Sequence, residues 1–368
     1  MCIRDSYYYW GVDYIVDPNE QDFDYNVNEI ITNEASYGEF TYHYTDEVDI
    51  TLGIRNYNVE ASAAMNSAFK LYDVFPVSDT DFNTDKGTLN KVNVSYRPSG
   101  KNQNYYFTSS EGYRRGGVNA VPTEGPLAED AGWVPFESDT VKNIEFGVKG
   151  ALADGTYYNL SYFMVDWDNP QLNTSTPVNG YYAVVNGDTA QINGFDVELS
   201  GSAGAIDWNV GYSNKNARLS SDFYTPADTP VLYARSGAKL PGSPDHTFNL
   251  NLAHTSYFGK TDDILSGMGM VNRLDLYAQS STRNYIGDNS AYDAEFDGFN
   301  IINASSTIFN DDMYVSLFIK NLTNERGTTG AFLNEAFGPQ PSQGFYGSNS
   351  REFYALPRTI GFSISRGF

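Results

Sequence analysis

The segment 138–213 constrains the fold more than any other part of the chain, because apolar and polar side chains alternate along it at every second position. Ile144, Phe146 and Val148, for example, alternate with polar residues or glycine. Successive side chains of a β-strand point to opposite faces, so each such run is predicted to be a strand with one apolar face. The Asp-Gly pair at 154–155 favours a tight turn. Four consecutive strands are predicted here, joined alternately by a short turn and a long loop: 141–150, 157–167, 192–200 and 206–213.

The same alternation continues over most of the chain. Further strands are predicted at 8–16, 36–44, 48–55, 91–97, 104–110, 247–252, 273–279, 299–309, 313–321 and 359–365. Loops are predicted at 17–28, 111–137, 219–244, 284–298 and 322–356. The segment 61–86 shows little periodicity beyond a short strand at 69–75. About 14 strands result, most of them near the length that a tilted strand needs to cross a bilayer.

Composition and charge narrow the classes of protein. Aromatic residues make up 15% of the 368 residues, with 29 Tyr and 23 Phe, which favours strands over helices. Mean hydropathy is negative, and no run of about 18 apolar residues predicts a transmembrane helix. The formal charge of −23 repels nucleic-acid phosphates, so DNA and RNA are not expected partners.

Two architectures fit these strands. A soluble sandwich or propeller is the plainer alternative, but its strands are usually about five or six residues long, and its connections do not alternate so regularly. Long strands with short turns at one end and long loops at the other are typical of an outer-membrane barrel. The predicted apolar faces carry almost no charged residue, as contact with lipid requires. The sequence therefore favours an all-β, antiparallel transmembrane β-barrel, with short periplasmic turns, long extracellular loops and outer-membrane lipid around it.

The first six residues fit no strand and contain Cys2, the one cysteine of the chain. They resemble a tag-like stretch, so 1–6 is interpreted as a non-native leader and 7–368 as barrel. A single cysteine excludes an intramolecular disulfide. No signal peptide follows the leader, and we expect a truncated start with the export signal upstream rather than a cytosolic protein.

Several segments together resemble the carboxy-terminal part of the barrel of TonB-dependent outer-membrane receptors. They are 53–55 (GIR), 111–119 (EGYRRGGVN), 138–150 (SDTVKNIEFGVKG), 166–172 (DWDNPQL), 186–190 (NGDTA), 193–198 (NGFDVE), 240–246 (LPGSPDH), 320–325 (KNLTNE) and 357–362 (PRTIGF), running on to the terminal Phe368. Two positions depart from the family pattern. Arg115 stands where the family commonly has Pro, and Arg366 replaces an aromatic or aliphatic residue near the end.

The resemblance implies an energy-coupled importer in the bacterial outer membrane. Family barrels have 22 strands around an amino-terminal plug, so the chain would supply about 14 of them. The implied ligand is a ferric siderophore or similar iron chelate. TonB would act through the missing plug, and the barrel-assembly machinery would recognise Phe368. The alternative is a passive porin or adhesin-like barrel without energy coupling, and a soluble surface-binding β protein is a more distant one.

Candidate ligand-binding residues lie in predicted loops. Arg114 and Arg115 offer positive charge to an anionic chelate, with pairing to loop carboxylates as the alternative. Aromatic rings nearby offer stacking surfaces, or else interfacial anchors. These rings are Tyr113, Trp133, Tyr181, Tyr182, Phe345 and Tyr346. Asp166 and Asp168 have no partner motif for catalysis, and the three histidines lack ligand spacing, so neither an enzyme, a cofactor nor a metal site is predicted.

Overall fold

The computed structural model describes residues 23–69, 74–125, 128–177, 182–226, 228–259, 267–287, 294–332 and 351–367. A 3₁₀ turn spans Ala131–Trp133, and no helix of the described residues is long and apolar enough to cross a membrane. The strands are β1 (Phe23–His43), β2 (Val48–Phe69), β3 (Val74–Tyr96), β4 (Gln103–Arg114), β5 (Gly117–Val118), β6 (Pro135–Phe136), β7 (Asp139–Ala151), β8 (Tyr157–Asp168), β9 (Gln171–Ser175), β10 (Tyr182–Asn186), β11 (Thr189–Ala203), β12 (Ile206–Leu219), β13 (Phe223–Tyr224), β14 (Leu232–Ala234), β15 (His246–Tyr257), β16 (Gly269–Gln279), β17 (Thr282–Arg283), β18 (Glu295–Phe296), β19 (Phe299–Phe309), β20 (Met313–Lys320), β21 (Thr328–Phe332), β22 (Arg351–Tyr354) and β23 (Thr359–Arg366).

Thirteen strands form one large antiparallel sheet. Its order follows the chain: β1-β2-β3-β4-β7-β8-β11-β12-β15-β16-β19-β20-β23. Each strand pairs with its neighbours in sequence, which is the up-and-down arrangement predicted from the alternation of short and long connections. The predicted strand at 8–16 and the leader at 1–6 lie outside the described residues.

One face of the sheet carries a continuous apolar surface. Cross-strand partners share a face, and a single row of partners crosses six strands from Phe107 to Phe248. The members of this row are Phe107, Phe146, Tyr162, Phe195, Tyr212 and Phe248. Phe146 and Tyr162 are 50% and 47% exposed, so their rings face the surroundings rather than a second protein layer. This face is the apolar surface predicted from the alternation.

The opposite face carries polar side chains that bond to one another between strands. The Tyr106 hydroxyl donates to Glu145 over 2.6 Å, and Asn93 Nδ2 donates to Thr108 Oγ1 over 2.8 Å. These bonds satisfy the polar groups of this face, which would be unfavourable in contact with lipid or within an apolar core.

Short turns join the strands at one end of the sheet. The predicted Asp-Gly turn occurs between β7 and β8, where Gly155 has φ of +87° and the Thr156 N–H donates to Asp154 Oδ1 over 2.9 Å. Positive φ suits glycine, which has no Cβ to clash. A second tight turn at 204–205 contains Gly204 with φ of +62°.

The sequence analysis was wrong about two segments near the amino-terminal end. Residues 23–28 belong to β1 instead of a loop, and most of 61–86 belongs to β2 and β3 instead of irregular chain. These strands pair over about twenty residues, far beyond the segments 36–44, 48–55 and 91–97 whose alternation predicted a strand. Outside a bilayer, backbone hydrogen bonds alone can continue a ladder without an apolar face, so periodicity underestimates its length.

Candidate functional site

The long connections at the other end of the sheet pack together, and we call this structure the loop layer. It comprises 115–138, 169–188, 220–245 and 280–298, as far as the structure describes them. Small hairpins stiffen it: β5 pairs with β6, β9 with β10, β13 with β14 and β17 with β18. Its apolar side chains form one buried cluster with residues from the strands below: Val121, Trp133, Val134, Leu172, Ala183, Val185, Ala190, Ala217, Leu219, Phe223, Ala234, Leu240 and Ile286. Because all four connections contribute, the loop layer is a packed unit instead of separate flaps.

The loop layer covers the face of the sheet that carries the polar side chains. In β12 the residues of the apolar surface occupy even positions up to Tyr212, whereas the buried Ala217 and Leu219 occupy odd positions. Those odd positions share a face with the polar residues lower on the strand. The loops therefore fold over the face that bears the polar residues, away from the apolar surface.

Arg114 lies at the end of β4 and is locked in place by several partners. Its guanidinium forms an ion pair with Asp139, whose side chain is 4% exposed, and stacks over Trp167 with 5.6 Å between Cζ and the ring centroid. It also donates to the carbonyl of Gln171 over 3.1 Å. Arg114 was predicted in a loop, but β4 continues through it because residues 111–114 pair with β7. Its contacts match the alternative interpretation, pairing with a carboxylate.

Arg115 and Tyr113 contact the long amino-terminal strands. Arg115 Nη1 lies 2.8 Å from Glu29 Oε1 of β1, with both side chains more than a third exposed. The ring of Tyr113 stacks on Tyr57 of β2, with centroids 3.6 Å apart and planes 9° from parallel. The Tyr57 ring lies across Gly87 of β3, where a Cβ would come within 2.6 Å of its hydroxyl. Arg115 therefore attaches the start of the 115–138 segment to β1, and Tyr113 attaches the end of β4 to β2.

Trp133 is enclosed within the loop layer, with 1% of its surface exposed. Asn119, which the sequence analysis did not single out, holds this region together. Its Nδ2 donates to the carbonyls of Trp133 (2.8 Å) and Val184 (2.6 Å), and its Oδ1 accepts the N–H of Val184 over 2.8 Å. One carboxamide thus joins the 115–138 connection to β10.

The other predicted aromatic residues are less fully described. Tyr182 is the first residue of β10 and pairs with Ser175 across the hairpin. Tyr181, Phe345 and Tyr346 lie outside the described residues.

Two aspartates hold parts of the loop layer together: Asp130 links two of its connections, and Asp245 links the 220–245 connection to β12. Asp130 accepts the backbone N–H groups of Asp228 (3.0 Å) and Gly132 (2.8 Å), and these bonds lower the pKa of its carboxyl. Burial disfavours the ionised form of Asp245, but hydrogen bonds and charges from Arg218 and Lys239 outweigh it and hold the pKa below its usual range. Both carboxylates are therefore ionised at neutral pH.

Sequence reasoning could have found some of the residues it missed. Gln171 and Asp245 lie within segments that carry the family resemblance, and Gln171 Nε2 donates to the carbonyls of Arg115 (2.7 Å) and Glu137 (3.0 Å). Asn119 also lies within such a segment, 111–119, but nothing in its local pattern predicts its partner Val184, which is 65 residues away in sequence.

The described part of the chain contains no group of three or more His, Cys, Asp or Glu side chains placed to hold a metal ion. Two of the three histidines have polar partners near strand ends. His43 Nδ1 lies 2.5 Å from Asp49 Oδ1, and His246 Nδ1 lies 2.9 Å from the Tyr212 hydroxyl.

Comparison with known proteins reveals the relationships of this chain. Its sequence is 27% identical to the pesticin receptor of Yersinia enterocolitica over 129 residues, which are 35% of this chain and 18% of that receptor. Its fold resembles the ferric yersiniabactin uptake receptor of Yersinia pestis, with a TM-score of 0.73, 19% identity and coverage of 95% of this chain and 48% of that one. The ferric-catecholate import receptor Fiu of E. coli K12 matches with a TM-score of 0.66 and 17% identity, over 93% and 45% of the two chains.

These relatives are receptors, and the chain spans about half the length of the solved structures that it matches. Their fold identifies the thirteen-stranded sheet as part of a β-barrel, with the apolar surface on one face and the polar side chains on the other. The family profile described as "TonB dependent receptor-like, beta-barrel" matches residues 4–322. The chain belongs to the TonB-dependent receptor family and forms part of its β-barrel.

Proposed function

We propose that the receptor to which this chain belongs imports a ferric siderophore or similar iron chelate across the outer membrane, driven by TonB. The observation that carries the proposal is a family barrel whose fold matches two ferric-chelate receptors over more than nine-tenths of this chain. A dilute, bulky chelate must be bound tightly to be captured. Its release then requires external work, because a ligand shifts a conformational equilibrium only by the difference in its affinity for the two states.

In this proposal the chain supplies the lumen wall and the outer loops. The whole receptor would be a transporter and not an enzyme, with 7–368 as barrel and 1–6 as an extraneous leader. TonB would contact a plug, outer-membrane lipid would contact the apolar face, and the barrel-assembly machinery would recognise Phe368. Each of these partners is inferred from the family.

The candidate ligand-binding residues have different roles in this proposal. Arg115, more than a third exposed beside Glu29, is the predicted cation best placed to meet a ligand, together with the neighbouring Tyr113. Arg114 and Trp133 would act indirectly, since one is held by Asp139 and the other is enclosed. Tyr181 and Tyr182 remain proposed stacking residues.

Uptake of radioactive iron by cells expressing the full-length receptor tests this function. The host would be a Gram-negative strain without its own iron-chelate receptors, supplied with thiazoline-type, catecholate or hydroxamate ferric chelates. We expect saturable uptake of at least one chelate and its loss in an otherwise identical strain lacking TonB. Uptake that persists without TonB would indicate the passive pore instead. Absence of uptake for the whole panel, with the receptor present in the outer membrane, would contradict iron-chelate import.

A further inference from the structure

A cavity of about 420 Å³ opens in the loop layer between the 220–245 and 280–298 connections. Its volume falls within the range of small-molecule sites. Its lining consists of Arg235, Ala238, Lys239, Arg283, Tyr285, Ile286 and Gly287. The sequence analysis assigned no role to any of these residues, and none belongs to the Arg114–Asp139 cluster.

Positive charge converges on this cavity in a strongly acidic protein. The chain has 46 acidic and 23 basic residues, yet the described lining contains three basic residues and no acidic one. Arg235 and Arg283 also have other contacts within the protein, so the inference rests on the convergence of charge and not on unpaired guanidinium groups. A concave surface of one sign concentrates the field and attracts ions of the opposite sign.

Lys239 is held in position before any ligand arrives. Its ammonium group donates to Asp245 Oδ2 over 3.1 Å and to the carbonyl of Ser281 over 2.9 Å, and its side chain is 12% exposed. Asp245 also pairs with Arg218, so this carboxylate is shared between two cations. The three groups together carry one net positive charge beside the cavity.

The opposite wall is equally fixed. Ile286 is 4% exposed and belongs to the buried cluster of the loop layer. Tyr285 is 9% exposed, and its ring lies 5.7 Å from that of Tyr233. At Gly287 a Cβ would come within 2.7 Å of the Tyr285 ring, so glycine permits this close approach. A preformed wall reduces the ordering cost of binding.

We propose that this cavity binds a carboxylate-bearing anion and that, in the receptor, it recognises the anionic carboxylates of the imported chelate. This second clause rests on the proposed function. Guanidinium and ammonium groups bind carboxylates through charge-assisted hydrogen bonds, the strong class of such bonds. Arg235, Lys239 and Arg283 would contact the carboxylates directly, and Asp245 would position Lys239.

Binding of citrate to the purified full-length receptor in detergent tests the proposal directly. Citrate carries three carboxylates, and its binding would be measured by isothermal titration calorimetry at constant ionic strength, with triethyl citrate as the neutral counterpart. We expect citrate to bind and the triester not to bind. Raising the salt concentration should weaken citrate binding, because the attraction is electrostatic.

Variants locate the binding site. Arg235→Gln and Arg283→Gln should each weaken citrate binding about tenfold or more, as loss of a charge-assisted bond implies. Arg283→Lys, which keeps the charge, should retain part of the affinity. Lys101→Gln is the matched control, because it removes the same charge from a turn at the far end of the sheet. Heat-modifiable migration of each variant on gels checks that it is folded.

Two results would overturn the proposal: no citrate binding by the folded receptor, or equal affinity in the cavity variants and in Lys101→Gln. These outcomes are separable from the fate of the proposed function. A receptor that imports a ferric chelate in a TonB-dependent manner, but whose folded cavity variants bind citrate normally, refutes the cavity alone. Citrate binding that needs Arg235 and Arg283, in a receptor that imports no ferric chelate, refutes the iron function and leaves the anion site.

Discussion

Replacing Asn119 with alanine should loosen the loop layer by an amount that follows from its contacts. Asn119 is 8% exposed, and its carboxamide makes three hydrogen bonds of 2.6–2.8 Å to the backbone of Trp133 and Val184. At about 1 kcal/mol of net stabilisation for each bond, the variant loses about 3 kcal/mol of attachment between the 115–138 connection and β10. Since 1.4 kcal/mol is a factor of ten, local opening should increase about 100-fold.

Hydrogen exchange measures this opening without unfolding the barrel. The N–H of Val184 is the most direct probe, because it donates to Asn119 Oδ1 itself. In the full-length receptor, peptides covering β10 should exchange about 100-fold faster in Asn119→Ala than in the unsubstituted protein. Asn119→Asp keeps an acceptor for Val184 but loses both donated bonds, so it should also accelerate exchange.

Asn28→Ala is the matched control, because Asn28 is an exposed asparagine on β1. It should leave exchange in β10 unchanged. Equal protection of β10 in Asn119→Ala and Asn28→Ala would refute the reasoning, because it would mean that the two connections hold together without this carboxamide.

Three further predictions concern the apolar surface of the sheet, the stacked rings of Tyr57 and Tyr113, and the ion pairs of Asp245 in the loop layer. Phe146→Arg places a charge in lipid and should lower the free energy of unfolding in bilayers by about 2–4 kcal/mol, whereas Asn143→Arg on the lumen face should not; equal effects in urea titrations would contradict the assignment of faces. Gly87→Val should displace the Tyr57 ring from Tyr113 and remove about 0.5–1.5 kcal/mol of stacking free energy. Hydrogen exchange around β5 should then be faster, and unchanged exchange would contradict a stabilising stack. The pKa of Asp245 is lowered in the folded chain, so its ion pairs stabilise the loop layer fully above the ordinary pKa of about 3.9. This stabilisation is lost as the pH falls through the lower pKa that Asp245 has in the folded chain. Loop-layer exchange, corrected for intrinsic rates, should therefore rise in acid in the wild type, and Asp245→Asn should show the faster exchange already at neutral pH; a loss of protection centred near pH 6 would point to another group.

Local alternation was enough to predict most of the large sheet. It located β7 and β8 within one or two residues and identified the Asp-Gly turn between them. It also found β11 and β12, but it made β11 three residues too short at each end and ended β12 six residues too early. It failed for the upper part of β3, where the ladder runs on through polar residues, and for the upper part of β2, where the apolar side chains change from even to odd positions. A two-residue period reports the environment of the faces, whereas a ladder requires only paired backbone groups.

The loop layer was much harder to predict than the sheet. Arg114 was singled out for its charge, but its partner Asp139 follows from the register of β4 with β7, which single-sequence patterns do not specify. Trp133 was expected to offer a stacking surface, yet it is enclosed in a buried cluster to which the three other connections also contribute. Contacts between segments 50 to 100 residues apart leave no periodic trace in either segment.

The strands nevertheless contain a signal that marks where the membrane ends. In β2 the apolar side chains occupy even positions up to Ile54, then odd positions from Tyr57, which is 7% exposed, through Val59 at 2%. Strand β12 makes the same switch between Tyr212 and Ala217. In the proposed membrane barrel the even positions face lipid, while the odd positions face the lumen and become apolar only where loops cover them. A switch of the apolar side chains from even to odd positions within an unbroken strand therefore locates the boundary between hydrocarbon and the loop layer.

Single cysteines placed at Leu52 and at Val59, each labelled with a fluorophore, test this boundary. A membrane-soluble quencher should reach the fluorophore at the first position and not at the second, and equal quenching would refute the boundary.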